Sequence, residues 1–331
     1  MTFTAVQDPR VETIVADALT RIAAAVSALN LNGFVALALG GGYARGEGGA
    51  TAAGRPYNDL DFFVLIEPPE SRAAEILERL RPVSEKFTAD LGVDVDFTVR
   101  VASRLKLDER RLMVQEFLRG NVPLLPKDFS VAKWAGLSEF DGAEVPADEA
   151  ARLLMNRGMG LLFAAERIGK AGAMTEEDRS FIRRNINKAI LGAGDARLVA
   201  RGEYAWRLDE RAKRLGGKEY AAAAEWKKRP DVNDVKDFSG LWETARKAIV
   251  SAAAELEKTR GGEISRRSMY EQLRFMKRMR SFGRLRDFGV KGETRTMRKV
   301  VETLAARDGS GEAARPGFTL DSLMEYWKTF N

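Results

Sequence analysis

Two aspartates two residues apart, Asp59 and Asp61, stand at the head of an uninterrupted apolar run, Phe62-Phe63-Val64-Leu65-Ile66. Side chains alternate along a strand, so Asp59 and Asp61 project from one face. The run that follows abandons alternation, as a strand covered on both faces must. A chain containing this stretch is thereby committed to a layered fold with a sheet at its centre. Carboxylates at the mouth of a buried strand are costly to desolvate unless a positive charge neutralises them. A divalent cation meets that need, and oxygen ligands suit Mg²⁺, which retains waters and draws further ligands from phosphates.

Upstream, Phe34 to Leu39 reads as a buried strand that runs into Gly40-Gly41-Gly42. Glycines let backbone approach a ligand closely, and N–H groups at a following helix start attract anions. A phosphate cradle is therefore expected one loop before the acid pair. Downstream, Val93-Asp94-Val95-Asp96-Phe97-Thr98-Val99 alternates and is rich in β-branched residues, the pattern of a strand carrying Asp94 and Asp96 on one face. Taken singly, each feature has a plainer reading: Asp-x-Asp as turn and capping chemistry, Gly-Gly-Gly as a turn.

Together, Gly41-Gly42-x-Ala44-Arg45-Gly46-Glu47, then Asp59-x-Asp61, then an acid on a later strand, resemble the DNA polymerase beta-like nucleotidyltransferase superfamily over roughly residues 31–100. The resemblance implies a nucleotidyltransferase mixed sheet flanked by helices. It departs from the family's usual spacing, because sixteen residues, Tyr43 to Asn58, separate Gly42 from Asp59. The excess falls in Gly48-Gly49-Ala50-Thr51-Ala52-Ala53-Gly54, which reads as a flexible insertion.

The 331 residues suffice for two domains with cores of their own. Cysteine and histidine are both absent, which excludes disulfides, thiolate or imidazole metal ligands, cysteine nucleophiles and a histidine base. Chemistry must then run on carboxylates, a metal, Lys, Arg, Tyr or Ser. No apolar run reaches the length of a membrane span, and MTFTAVQDPR lacks the pattern of an export signal. A cytoplasmic location is expected.

Apolar residues at three- and four-residue spacing (Val11, Ile14, Val15, Ala18, Leu19, Ile22, Val26, Leu29) predict a helix over 8–30. A helix over 70–90 is expected to turn Ala73, Ile76, Leu77, Leu80 and Phe87 inward and to kink or split at Pro82. Another is expected over 108–119, followed by an edge strand at Val122-Pro123-Leu124-Leu125-Pro126, where proline is tolerated. The pattern loosens over 128–146, dividing a catalytic domain at 1–135 from an all-helical domain at 146–331 and giving an α+β protein overall. Helices are predicted at 148–168, 176–199, 204–215, 218–228 and 235–258, with a turn at Gly261-Gly262.

Gly192 and Gly194 interrupt the second of these, so either close packing or a ligand must compensate for about 1 kcal/mol of lost helix propensity at each. Under the ligand reading, Lys188 or Arg184 reaches a triphosphate across the interdomain cleft, in faint resemblance to the helical domain of antibiotic nucleotidyltransferases. Residues 265–299 carry twelve Lys or Arg against three acids, an excess of nine beside a whole-chain charge of +6, so the remainder is net acidic. Tyr270, Phe275, Phe282 and Phe288 are interleaved with these charges. The segment reads either as a solvated helix with its aromatics in the core or as a surface for RNA or another anionic partner.

The resemblance implies transfer of a nucleoside monophosphate from an NTP, ATP foremost, to an acceptor hydroxyl, with two Mg²⁺ ions and release of pyrophosphate. It assigns the metals to Asp59, Asp61 and either Asp94 or Asp96. Asp96 is favoured as the third catalytic acid because Asp96-Phe97-Thr98-Val99 follows the family's pattern. Gly41 and Gly42 would cradle the phosphates, while Arg45 or Glu47 would either lie near them or pair with each other. The acceptor is expected to be a small molecule such as an antibiotic, or a protein. Against a polycationic acceptor, residues 136–264 hold 23 basic and 22 acidic residues, without an acidic excess. The alternatives are an RNA end and a non-catalytic nucleotide-binding or antitoxin-like module.

Overall fold

The computed structural model describes residues 1–169, 174–280, 293–306 and 324, the stretches 264–280 and 293–298 by their backbone alone. The chain is α+β and divides into two units, Met1–Asp141 with Glu225–Asp231, and Gly142–Ala224 with Val232–Asn331. The division falls inside the loosened 128–146 stretch. What the sequence could not foretell is that a short later segment joins the first unit.

The first unit runs α1 (Pro9–Ala28), β1 (Phe34–Leu39), α2 (Gly41–Ala44), β2 (Leu60–Ile66), α3 (Ala73–Leu91), β3 (Val95–Arg100), α4 (Ala102–Leu107), α5 (Leu112–Arg119), β4 (Val122–Leu125) and α6 (Val131–Ala135). The sheet is mixed, with order β3-β2-β1-β4. β1 is antiparallel to both β2 and β4, and β2 is parallel to β3. β4 takes an edge, as its proline requires.

The apolar run of β2 is buried on both sides for a visible reason. Leu60, Phe62, Val64 and Ile66 join Val11, Val15 and Ile22 of α1 and Leu80 and Phe87 of α3 in one core. Phe63 and Leu65 join Leu105, Val114, Phe117 and Val131 of α4, α5 and α6 in another. Asp8 caps α1 by accepting the N–H groups of Arg10 (3.0 Å) and Val11 (3.4 Å).

Some local expectations are corrected. α3 passes through Pro82 without a break; Pro82 is exposed, so the lost hydrogen bond lies on the solvent side. Leu77, expected inward, is 39% exposed. The helix expected over 108–119 begins only at Leu112, as α5; Asp108 to Arg111 form a turn that follows the separate helix α4.

The second unit comprises α7 (Ala147–Ile168), α8 (Glu176–Arg201), α9 (Leu208–Leu215), α10 (Lys218–Lys228, whose last residues group with the first unit), α11 (Phe238–Arg280) and α12 (Glu293–Ala306). α7, α8 and α11 pack together, and α12 packs on α7. Thr175 and Asp178 form a reciprocal capping box at the start of α8. The turn expected at Gly261-Gly262 is instead a kink, with the non-helical backbone at Arg260, after which the helix resumes.

The glycines of α8 are resolved in favour of packing. A methyl group on Gly194 would lie 2.2 Å from the Tyr220 ring and 2.7 Å from Leu215, and one on Gly192 would lie 2.5 Å from Arg157. Tyr220 also donates its hydroxyl to Asp195 (2.6 Å), which pairs with buried Arg211 (2.9 Å).

Candidate functional site

The centre of the first unit is the junction of β1 with α2. Gly40 ends the strand, and its N–H donates to the Asp61 carbonyl at 2.7 Å. Gly41 follows in the left-handed region, at φ +65°. A Cβ on Gly41 would lie 2.0 Å from Asp61 Oδ2, so the carboxylate occupies the space that a side chain would need. Gly42 has no such neighbour within 3.8 Å. The backbone conformation and the acid therefore both demand glycine at 41.

Asp61 stands in register with Asp96 across the parallel β2–β3 pair, and the Leu60 N–H donates to the Asp94 carbonyl at 2.8 Å. Leu60 and Phe62 of β2, with Val95 and Phe97 of β3, face the core shared with α1 and α3. Alternation sends Asp61 and Asp96 to the opposite face, and the same parity applies to Asp59 and Asp94 just outside the strands. Asp59 and Asp61 are half-buried, whereas Asp94 and Asp96 are exposed. Pairing thus aligns Asp96, rather than Asp94, with Asp61.

The glycine-rich stretch expected to be a flexible insertion is anchored. Gly48 bridges to Thr4, and Ala50 bridges to Pro56. The buried Tyr43 hydroxyl donates to the Gly49 carbonyl (2.9 Å) and accepts the Tyr57 N–H (3.0 Å). Burial, foremost, with a smaller contribution from the Asp59 charge, pushes the Tyr43 hydroxyl up to about 12. The segment Glu225–Asp231 closes over this loop. The Ala50 N–H donates to the Lys228 carbonyl (3.0 Å), Trp226 meets Tyr57 edge-on at 5.5 Å, and the Trp226 indole donates to the Asp231 carbonyl (2.8 Å). A Cβ on Gly49 would lie 2.6 Å from the Lys227 carbonyl, so this glycine serves close packing.

Of the remaining candidates, Arg45 makes the local pair, with Nε 3.4 Å from Glu47 and Nη1 3.3 Å from Glu116. Buried Glu47 also has Lys227 at 3.8 Å. The arginine is thus engaged by two carboxylates. Lys188 is half-buried on α8 of the helical unit. The side chains of the basic segment 265–299 lie outside the described residues, except for Lys299. Tyr43, Glu116 and Lys227 were not singled out from the sequence. Tyr43 sits inside the motif and was legible there; the other two are brought in by tertiary contacts that leave no local signal.

Among the described residues, no group of three or more His, Cys, Asp or Glu side chains is disposed to hold a metal ion by itself. The all-carboxylate donor set nevertheless fits Mg²⁺, which is commonly held by one or two carboxylates and completes its shell with water and substrate phosphates. No described helix is long and apolar enough to cross a membrane. Comparison with family models, curated proteins and solved structures finds no match to this chain.

Proposed function

We propose that the first unit is a Mg²⁺-dependent nucleotidyltransferase that moves a nucleoside monophosphate from an NTP, ATP foremost, to an acceptor hydroxyl on a small molecule or protein. The observation that carries this reading is the in-register pairing of Asp61 with Asp96, with the Asp61 carboxylate seated against Gly41 at the end of β1. Asp61 and its register partner Asp96 would hold the ion, with water and phosphate oxygens completing its shell, while Asp59 and Asp94 share their strand parity just before β2 and β3. Bound Mg²⁺ supplies Lewis-acid stabilisation of phosphate charge and makes a coordinated hydroxyl more acidic.

The chain's own residues supply position. Gly41 lets the backbone pass directly against the Asp61 carboxylate, and the uncrowded backbone at Gly42 is the part of the turn that a phosphate tail would approach. Tyr43 locks the loop that delivers Asp59, through its bonds to Gly49 and Tyr57. Asp96, exposed on the edge strand, would accept the proton of an incoming hydroxyl.

The test is incubation with each labelled NTP, magnesium and pools of hydroxyl acceptors, followed by mass analysis. The expected product is an acceptor heavier by one nucleoside monophosphate, with pyrophosphate released. Asp59→Asn and Asp61→Asn should each abolish that product while leaving the thermal unfolding transition in place. Turnover surviving in both variants refutes the assignment.

A further inference from the structure

Beyond the acid site, at the opposite end of β3, two arginines pair with one buried carboxylate, and a third lies within range of their charges. Asp108 ends α4 and is 7% exposed. It pairs with Arg104 Nε at 3.1 Å and Arg111 Nε at 3.0 Å. Among the described residues, neither guanidinium has a partner besides Asp108, which leaves most of their fixed fork of donors unused. Arg100 comes from the last residue of β3. Its Nη1 donates to the adjacent Val99 carbonyl at 2.9 Å, while its buried Nε–H has no acceptor among the described residues.

Burial, first, holds Arg100 below the ordinary arginine value; Arg104 and Arg111 act in the same sense, against Asp108 and the exposed Glu70. A buried donor without an acceptor is disfavoured, and so are cations crowded together. One dianion with several acceptor oxygens relieves both at once.

We propose that Arg100, Arg104 and Arg111 form a binding site for a phosphate dianion, either free or as the terminal group of a small phosphomonoester. The planar guanidinium fork matches phosphate oxygens in pairs, and a tetrahedral anion can serve three forks where a carboxylate cannot. Asp108 holds two of the arginines at the correct spacing, so it is a positioning residue. Arg100 lies four residues along the strand from Asp96, about 13 Å away at strand rise, so the two sites are separate.

The experiment is calorimetric titration of the full chain in EDTA, with inorganic phosphate in one arm and glycerol phosphate in the other. Saturable binding at one site per chain is expected in at least one arm. It should weaken at least tenfold in Arg100→Gln and in the double variant Arg104→Gln/Arg111→Gln. The double variant changes side chains that are each about a third exposed, so it keeps the test decisive should Arg100→Gln fail to fold. Tighter binding of the ester assigns the site to a phosphorylated small molecule, and tighter binding of the ion assigns it to free phosphate. The proposal is overturned by absence of saturable binding in both arms, or by undiminished binding in the folded double variant.

Discussion

The Asp61 carboxylate fills the space where a side chain on Gly41 would begin, with Oδ2 only 2.0 Å from the position of an added Cβ. Glycine and acid are therefore a single feature, although nineteen residues lie between them in the chain. Replacing Gly41 with alanine must displace Asp61 and also hold a side chain at φ +65°. A loss of about 1–3 kcal/mol in urea unfolding is expected, together with loss of nucleotidyl transfer. Gly42→Ala, with nothing within 3.8 Å and no positive φ, should unfold close to the wild-type midpoint.

Register separates the two aspartates of the third strand. Asp96 faces Asp61 directly, whereas Asp94 lies before β3 and contributes its carbonyl to the Leu60 N–H. Asp96→Asn should lower kcat by about 10²–10³, the scale of losing one charge-stabilising group. Asp94→Asn should stay within about tenfold of wild type, short of that scale. Equal losses in steady-state assays would remove the distinction.

Tyr43 gives a stability signature in alkali. Its hydroxyl titrates near 10 in the unfolded chain and is pushed up to about 12 when folded, so the folded state holds the proton more tightly. Its contribution is full below pH 10 and is lost as pH rises toward 12, a loss of order 2–3 kcal/mol. Tyr43→Phe should abolish that component of the pH profile. The variant should also be less stable at pH 7 by about 1–3 kcal/mol, because the Gly49 carbonyl and Tyr57 N–H lose their partner.

Trp226 ties the segment Glu225–Asp231 over the glycine-rich loop through Tyr57 and the Asp231 carbonyl. Trp226→Ala should release the loop. Amide hydrogen exchange over residues 48–57 is expected to accelerate about tenfold or more, in line with an opening energy lowered by over 1.4 kcal/mol. Unchanged exchange would show that the loop holds itself.

Gly194→Ala probes the helical unit. Alanine gains about 1 kcal/mol of helix propensity, but the new methyl group would meet the Tyr220 ring at 2.2 Å. Net destabilisation of about 1–2 kcal/mol is expected from overpacking. Thermal unfolding checks this, and a stabilised variant would show that Tyr220 yields.

Much of the first unit was legible in the chain because its signals are local. The two-residue period placed Asp59 and Asp61 on one face, and the unbroken Phe62–Ile66 run required cover on both sides. Proline put Val122–Leu125 at a sheet edge. Expectations failed where local cues were ambiguous: Pro82 lies on a solvent face that tolerates it, and Gly48 and Gly49 serve close packing rather than flexibility. Only the tertiary structure decided that Asp96 rather than Asp94 aligns with Asp61, that Arg45 is held by Glu116, and that Glu225–Asp231 folds with the first unit. Likewise, only folding brought Arg104 and Arg111 onto Asp108 and set Arg100 within range of their charges. Periodicity fixes which way a side chain points from its own element; strand register and the docking of distant segments depend on contacts between elements, which no local pattern encodes.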